Sequence, residues 1–392
     1  MMLFRKESFG GILFDTKTMG FSLTGPDDRP DYDRRVKTGP DHGRRDIISA
    51  PVAVYYELTG RCNLECRHCF TNSGGARGEG LPGDAVFSVL ERLAEAGVMN
   101  LRFTGGEPTT RADWFDILKR SRNLGFAVSL QTNGVFSDPA ATAEKLAALE
   151  LDQITVSVDG VGPAHDALRG AGSFARVEKS LNAMAAAGIR PRINTILTKL
   201  NCDRLGEIFE FVSRYSDSIN IFYMRVIGRG IKNTDIMIDF SLHHATSERV
   251  LKISKNYPGL RVFHSASGSP RPLKIPAGAD IPEIVFPCGS TALSIAAGGT
   301  VWPHHYSIYQ SASLALGRFP EDSVSSIWAG SKKLDAMRGW LKKLRERCLR
   351  CTEHETRCSG IDFEMELEAA YGRIEKNPCC VCPEKAPEPD FI

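Results

Sequence analysis

Between residues 52 and 224 the chain repeats one alternation: a short apolar run of strand type, then an amphipathic stretch of helical period. VAVYYEL (52–58), LRF (101–103), FAVSLQ (126–131), ITVSV (154–158), RINTIL (192–197) and INIFYM (219–224) read as strands. Helices are expected over 84–97, 113–125, 139–149, 173–187 and 203–215, the first closed by Gly97 and the fourth by Gly188. A helix between consecutive strands returns the chain to the same end of the sheet, so the pattern demands parallel pairing with helices on a face. The expected fold is α/β: a partial (β/α)6, TIM-like barrel with a small cysteine-rich C-terminal domain. Its active site belongs at the C-terminal ends of the strands.

The flanks differ in texture. FGGILFDTKTMGFSL reads as a small hairpin, and the stretch from Pro26 to Asp46, dense in charge and proline, as an exposed linker. Residues 265–287 are rich in Pro, Gly and Ser and mark a boundary. Beyond them TALSIAAGGTVWPHH reads as a hairpin turning at Gly298-Gly299, with a helix near 324–344. The expected division is 1–46, hairpin and linker; 47–264, barrel; 265–392, cysteine-rich domain. A net charge of +2 gives no support for nucleic-acid binding. No apolar run reaches the length of a membrane span and the N-terminus lacks a secretory h-region, so a cytoplasmic protein without membrane contact is expected.

Eleven cysteines then call for metal or redox chemistry rather than disulfides. Cys62, Cys66 and Cys69 follow the first strand with spacing C-x3-C-x2-C. Three thiolates on one loop hold three corners of a four-iron cluster and leave the fourth iron open to cofactor or substrate. A zinc site completed by His68 is the alternative, disfavoured because His68 adjoins Cys69 and would strain a tetrahedron. Cys202 stands alone and reads as structural.

This trio resembles the signature of the radical S-adenosylmethionine (radical SAM) enzymes, and marks over residues 50–230 extend the resemblance. Thr104-Gly105-Gly106-Glu107-Pro108 resembles the segment receiving the cofactor's amino group, with Glu107 placed to attract the ammonium. Asn133 closes the third strand; Ser157 and Asp159 close the fourth. By the same resemblance Arg169 meets the cofactor's carboxylate, Asn194 its ribose, and Ile227 with Gly228 its adenine. The resemblance implies a [4Fe-4S] cluster, S-adenosyl-L-methionine, and an enzyme that cleaves the sulfonium reductively to a 5′-deoxyadenosyl radical and abstracts a substrate hydrogen. It also implies a reducing partner such as flavodoxin or ferredoxin.

Cys348, Cys351 and Cys358 (C-x2-C-x6-C), then Cys379, Cys380 and Cys382, resemble a SPASM or twitch extension with one or two auxiliary clusters. Upstream, Cys288 and Gly299 fit that pattern, but His304 stands at the next ligand position and Asp362 at a later one, where cysteine is expected. Either His304 or Asp362 completes a ligand set, or one cluster is held by the last cysteines alone; a polar hairpin turn explains His304 and His305 equally well.

The expected substrate is a ribosomally made peptide. The alternative is a sugar or other small biosynthetic intermediate, undergoing epimerisation, dehydrogenation or decarboxylation; a third is an electron carrier without catalysis. The N-terminal segment loosely resembles a leader-peptide-binding hairpin that works by strand addition, against a plain strand patching the barrel. No acid or base is assigned; Tyr223, Arg225, His264 and His305 are candidates.

Overall fold

The computed structural model describes residues 1–26, 34–74, 78–264, 287–309 and 311–350. Strands β1 (Met2–Glu7), β2 (Gly10–Asp15), β3 (Gly20–Thr24) and β4 (Arg34–Thr38) form a separate sheet in the order β3-β2-β1-β4. β4 pairs with β1 in parallel, so part of the stretch read as linker is an edge strand, a place where charged composition is tolerated.

The main sheet carries β5 (Ala53–Thr59), β6 (Asn100–Gly105), β7 (Ala127–Thr132), β8 (Gln153–Ser157), β9 (Arg192–Leu197) and β10 (Ser218–Tyr223), all parallel and in chain order. The helices α1 (Gly83–Glu95), α2 (Trp114–Asn123), α3 (Pro139–Leu149), α4 (Pro163–Arg169), α5 (Ser173–Ala186) and α6 (Leu205–Tyr215) run between them. α7 (Phe240–Ser254) then leads to a seventh parallel strand, β11 (Arg261–His264). β11 is too short, and α4 too close to α5, to stand out by period.

One strand face and one helix face make the core. Val54, Tyr56, Leu101, Phe103, Val128, Leu130, Val156 and Ile193 meet Val86, Val89, Leu90 and Leu93 of α1, Ile117 and Leu118 of α2, and Ile208 and Phe209 of α6. The i, i+3, i+4, i+7 spacing on α1 is what commits that segment to a helix. Asp138 caps α3, its Oδ1 accepting from Ala141 N at 3.1 Å with Pro139 in the first turn; such caps contribute about 1 kcal/mol. The opposite strand face carries Tyr55, Glu57, Arg102, Asn194 and Asn220, and lines the lumen.

After the helix α8 (Pro287–Ser290), the hairpin β12 (Ala292–Ile295)–β13 (Thr300–Trp302) joins this sheet through parallel pairing of β12 with β5, and β14 (Gly317–Arg318) extends it. Gly299 at the turn has φ +90°, and a Cβ there would lie 2.3 Å from Phe319 O. The helix expected near 324–344 is two, α9 (Val324–Trp328) and α10 (Lys332–Arg350). Trp328 Nε1 ties them to the body by donating to Ile48 O at 2.7 Å.

Fully buried Arg5 locks the N-terminal sheet beneath the barrel: it donates to Glu7 Oε1 at 2.8 Å, Pro51 O at 3.0 Å, Gly97 O at 3.1 Å and Ala50 O at 2.7 Å. No helix among the described residues is long and apolar enough to cross a membrane.

Candidate active site

The C-terminal ends of β5 to β10 converge on the loop after β5. On it Leu64, Cys66 and Val135 form a small buried cluster with Cys62 and Cys69 packed against it. All three cysteines are free, and each sulfur has a polar neighbour: Asn133 Nδ2 is 3.7 Å from Cys62 Sγ, Arg169 Nη1 3.9 Å from Cys66 Sγ, and Thr71 Oγ1 3.1 Å from Cys69 Sγ. Burial pushes the Cys62 thiol up to about 12 and raises that of Cys66. At Cys62 and Cys66 burial thus works against the thiolate, and a bound cation would supply the drive to ionise them.

Two glycines bring other backbone against this loop. A Cβ on Gly106 would lie 1.8 Å from Arg61 O, and one on Gly228 (φ +59°) 2.3 Å from Phe70 O. Among the described residues no three His, Cys, Asp or Glu side chains converge on a point fit for one metal ion. A cluster spreads its ligands over several irons, so three thiols on one loop suit it without meeting at a point. His68 is otherwise engaged, its Nε2 lying 3.1 Å from Asp159 Oδ2. The residues thus fit a cluster held by Cys62, Cys66 and Cys69.

Behind the loop lies a buried ion network. Asp159, fully buried, pairs through Oδ2 with Arg169 and His68, accepts from Ile196 N at 2.8 Å, and receives Asn201 Nδ2 on its carbonyl at 2.6 Å. Burial alone would raise the Asp159 carboxyl, but Arg169 and His68 outweigh it and hold it well below the usual carboxylate range. Burial likewise works against the Arg169 cation, and Asp159 and Cys66 reverse that. Arg169, read as a carboxylate contact, is in this structure spent on Asp159 and turned toward Cys66.

Glu107 is also inward-bound. Its carboxylate accepts from Thr109 N and Oγ1 at 3.2 and 2.7 Å, Thr132 Oγ1 at 2.8 Å and Asn133 N at 2.7 Å. Burial raises its pKa, and those hydrogen bonds oppose the rise. It joins the ends of β6 and β7, leaving the backbone at Gly105-Gly106 as the part of that motif adjoining the cysteine loop. Asn133 spans Asn63 Oδ1 at 2.7 Å and Val135 N at 2.7 Å.

Ser157 and Asn194 are register partners on the lumen face, and Asn194 Oδ1 accepts from Asn220 at 2.7 Å. Ile227 is fully buried. Tyr223 and His264 share the opposite face with Ile219 and Ile221: Tyr223 OH meets His264 Nε2 at 3.1 Å and Ser247 Oγ at 2.8 Å on α7. These two candidates therefore pack against a helix, because strand parity sends them away from the lumen. Arg225 lies over the Tyr306 ring at 5.7 Å.

His305 does face the lumen mouth, stacked on Tyr55 with centroids 5.3 Å apart, edge-on to Phe70 at 4.8 Å, and 3.5 Å from Glu57 Oε1. Tyr309 OH donates to the same oxygen. Glu57 and Tyr309 escaped the sequence reading; the inward parity of Glu57 on β5 was the available signal. Arg229 escaped it too. Cys202 is buried in the core. Cys288 lies in α8 and Cys348 in α10, but their side chains, and Cys351, Cys358, Asp362, Cys379, Cys380 and Cys382 entirely, lie outside the described residues.

Residues 56–212 match the model of the Radical SAM superfamily. The chain carries a radical SAM domain. Such domains work with a [4Fe-4S] cluster and S-adenosylmethionine, and the donor chemistry of the three-thiol loop is compatible with such a cluster. A mycofactocin maturase of Mycobacterium tuberculosis is 33% identical over 205 residues, 52% of this chain and 51% of the relative. The chain thus spans about half the length of that relative. A PqqA peptide cyclase of Streptomyces rochei is 28% identical over 82% of this chain and 88% of its own. In fold the radical SAM domain and its flanks are similar to SuiB of Streptococcus suis, solved with its precursor peptide SuiA: TM-score 0.75, 17% identity, 98% of both chains covered.

Proposed function

We propose that this chain is a radical SAM enzyme that modifies a ribosomally made peptide. The observation that carries it is the loop of three free cysteines, each with a polar neighbour, at the mouth of a parallel barrel with a polar lumen. When bound, the cluster and S-adenosylmethionine supply a 5′-deoxyadenosyl radical for hydrogen abstraction. The chain's own residues do the rest. Cys62, Cys66 and Cys69 hold three irons, the Gly105-Gly106 backbone receives the methionyl amino group, and Ser157, Asn194 and Ile227 line the nucleoside side. Arg169 and Asp159 fix the polar wall behind Cys66, and the barrel walls exclude water from the reacting centre.

The peptide substrate is favoured by relatives whose names specify peptide maturation and cyclisation. Strand β3, an edge of the N-terminal sheet, offers a place for a leader peptide to add. We further assign the C-terminal cysteines, with Cys288 and His304, to an auxiliary SPASM-type cluster, a flavodoxin or ferredoxin as reductant, and the cytoplasm as the compartment.

The test is anaerobic reconstitution, reduction and addition of S-adenosylmethionine. Wild type releases 5′-deoxyadenosine, and Cys66→Ala abolishes the release. Cofactor cleavage by Cys66→Ala at the wild-type rate would assign the chemistry elsewhere.

A further inference from the structure

On the lumen face, well below the cysteine mouth, a lateral row runs across the sheet. Arg102 on β6 stands in register with Ser129 on β7, and Ser129 with Gln153 on β8. The Gln153 amide, with its oxygen toward β9, accepts from Arg192 Nη1 and Nη2 at 2.9 Å. Arg192 Nε reaches Ser218 Oγ at 3.4 Å, and Ser218 is the register partner of Arg261 on β11.

The row holds three arginines, and among the described residues none of them meets a carboxylate. Arg102 is satisfied by neutral groups, donating to Tyr55 OH at 2.8 Å and Asn100 Oδ1 at 2.8 Å. Arg192 lies against the half-exposed Phe263 ring, 4.9 Å from its centroid. Its guanidinium is pushed down to about 10, by burial first and then by repulsion from Arg261 and Arg102. The arrangement is costly to the folded protein: like charges gathered along one sheet face, with neutral partners that fix the direction of Arg102 and Arg192 without cancelling their charge. Elsewhere two buried arginines pair with acids, Arg5 with Glu7 and Arg169 with Asp159.

We propose that Arg102, Arg192 and Arg261 form a carboxylate-binding floor of the lumen that anchors an acidic side chain of the substrate peptide. A guanidinium fork matches a carboxylate in two-point geometry, and Phe263 offers apolar contact for the methylenes beside it. Arg102 sits three residues before Gly105, so the row lies about 10 Å below the mouth at the usual strand rise. About three residues of extended peptide span that distance, which places the anchoring acid some three residues from the one modified.

This rests on the lumen being the substrate chamber of the radical SAM reading, so the test is a binding measurement without turnover. A fluorescein-labelled tetraglutamate peptide is titrated with the full chain at low, fixed salt and followed by anisotropy, beside a tetraglutamine peptide. Wild type binds tetraglutamate at least tenfold more tightly than tetraglutamine, and Arg192→Gln and Arg261→Gln each weaken it tenfold or more. Because Arg261 is exposed, its variant folds irrespective of Arg192. Arg192→Gln also melts no lower than wild type, since a repelled charge is removed; a structural arginine would show the reverse. Equal affinity for the two peptides, or variants that bind tetraglutamate as wild type does, overturns the floor. Undiminished 5′-deoxyadenosine release in such a result leaves the radical SAM reading standing, whereas loss of release with binding intact strikes that reading alone.

Discussion

Arg229 Nε donates to the carbonyl of Cys66 at 2.8 Å, joining the segment after β10 to the cysteine loop after β5. Its Nη1 reaches Ser73 O at 2.8 Å, while its backbone N–H donates to Cys69 O at 2.9 Å. One residue therefore holds three carbonyls of the loop that carries the thiols.

Arg229→Ala removes the two charge-assisted bonds to loop carbonyls and a longer one to Asn72 Oδ1 at 3.4 Å, and keeps the backbone one. Each such bond contributes about 1.5–3 kcal/mol. The variant is expected to melt several degrees lower and to lose iron faster to a chelator, although every cysteine is intact. Iron retention equal to wild type would reduce Arg229 to a surface contact.

Asp159→Asn leaves Arg169 buried without its counter-charge beside Cys66. Breaking a buried pair from one side costs about 3–5 kcal/mol, and denaturant midpoints should show a loss of that order. Arg169→Gln together with Asp159→Asn should cost less than the sum of the two single variants, because neither charge is then stranded. Additive losses would mean the pair is not coupled.

Much of this was legible in the sequence. The period-3.6 runs and apolar strands place β5 to β10 and most helices within a residue or two, because each buries a continuous face. β4 was hidden by its charged edge composition, and β11 by its four residues. At the site, Cys62 adjoins Asn133, and Cys66 adjoins Arg169, which pairs with Asp159. What spacing does not carry is partner choice: it singles out Glu107 and Arg169 without revealing that both are consumed by internal bonds. Nor does it show that Tyr223 and His264 fall on the helix-facing side, since that depends on strand phase.

Two buried imidazoles make stability depend on pH. Burial lowers both His264 and His165 to about 4; His243 repels the first, and Arg169 and His68 the second, while Asp159 and Asp166 partly offset the fall. Unfolded histidine titrates near 6.5, so below that pH the unfolded state binds more protons and folding weakens as pH falls toward 4. Melting temperature should drop between pH 7 and pH 5, and His264→Gln should flatten part of that slope. A slope unchanged by His264→Gln would move the titration elsewhere.

The C-terminal assignment is decided by iron. The triple variant Cys62/Cys66/Cys69→Ala, reconstituted anaerobically, should keep about four irons per chain if the later cysteines hold a cluster; loss of all iron would end the auxiliary-cluster assignment. His304 refines the outcome. In the structure its N–H donates to Ser307 Oγ at 3.1 Å, and its Nδ1 faces Tyr306 N at 3.4 Å. A ligating imidazole is neutral where a thiolate is negative, so it raises a cluster's reduction potential, as where histidines replace cysteines on an iron–sulfur centre. With His304 as ligand, His304→Cys lowers the auxiliary potential and changes its electron-spin signal at constant iron content, and His304→Ala loses or opens that cluster. Unchanged potentials and spectra in both variants would confine His304 to the turn, leaving the cluster to the last cysteines alone.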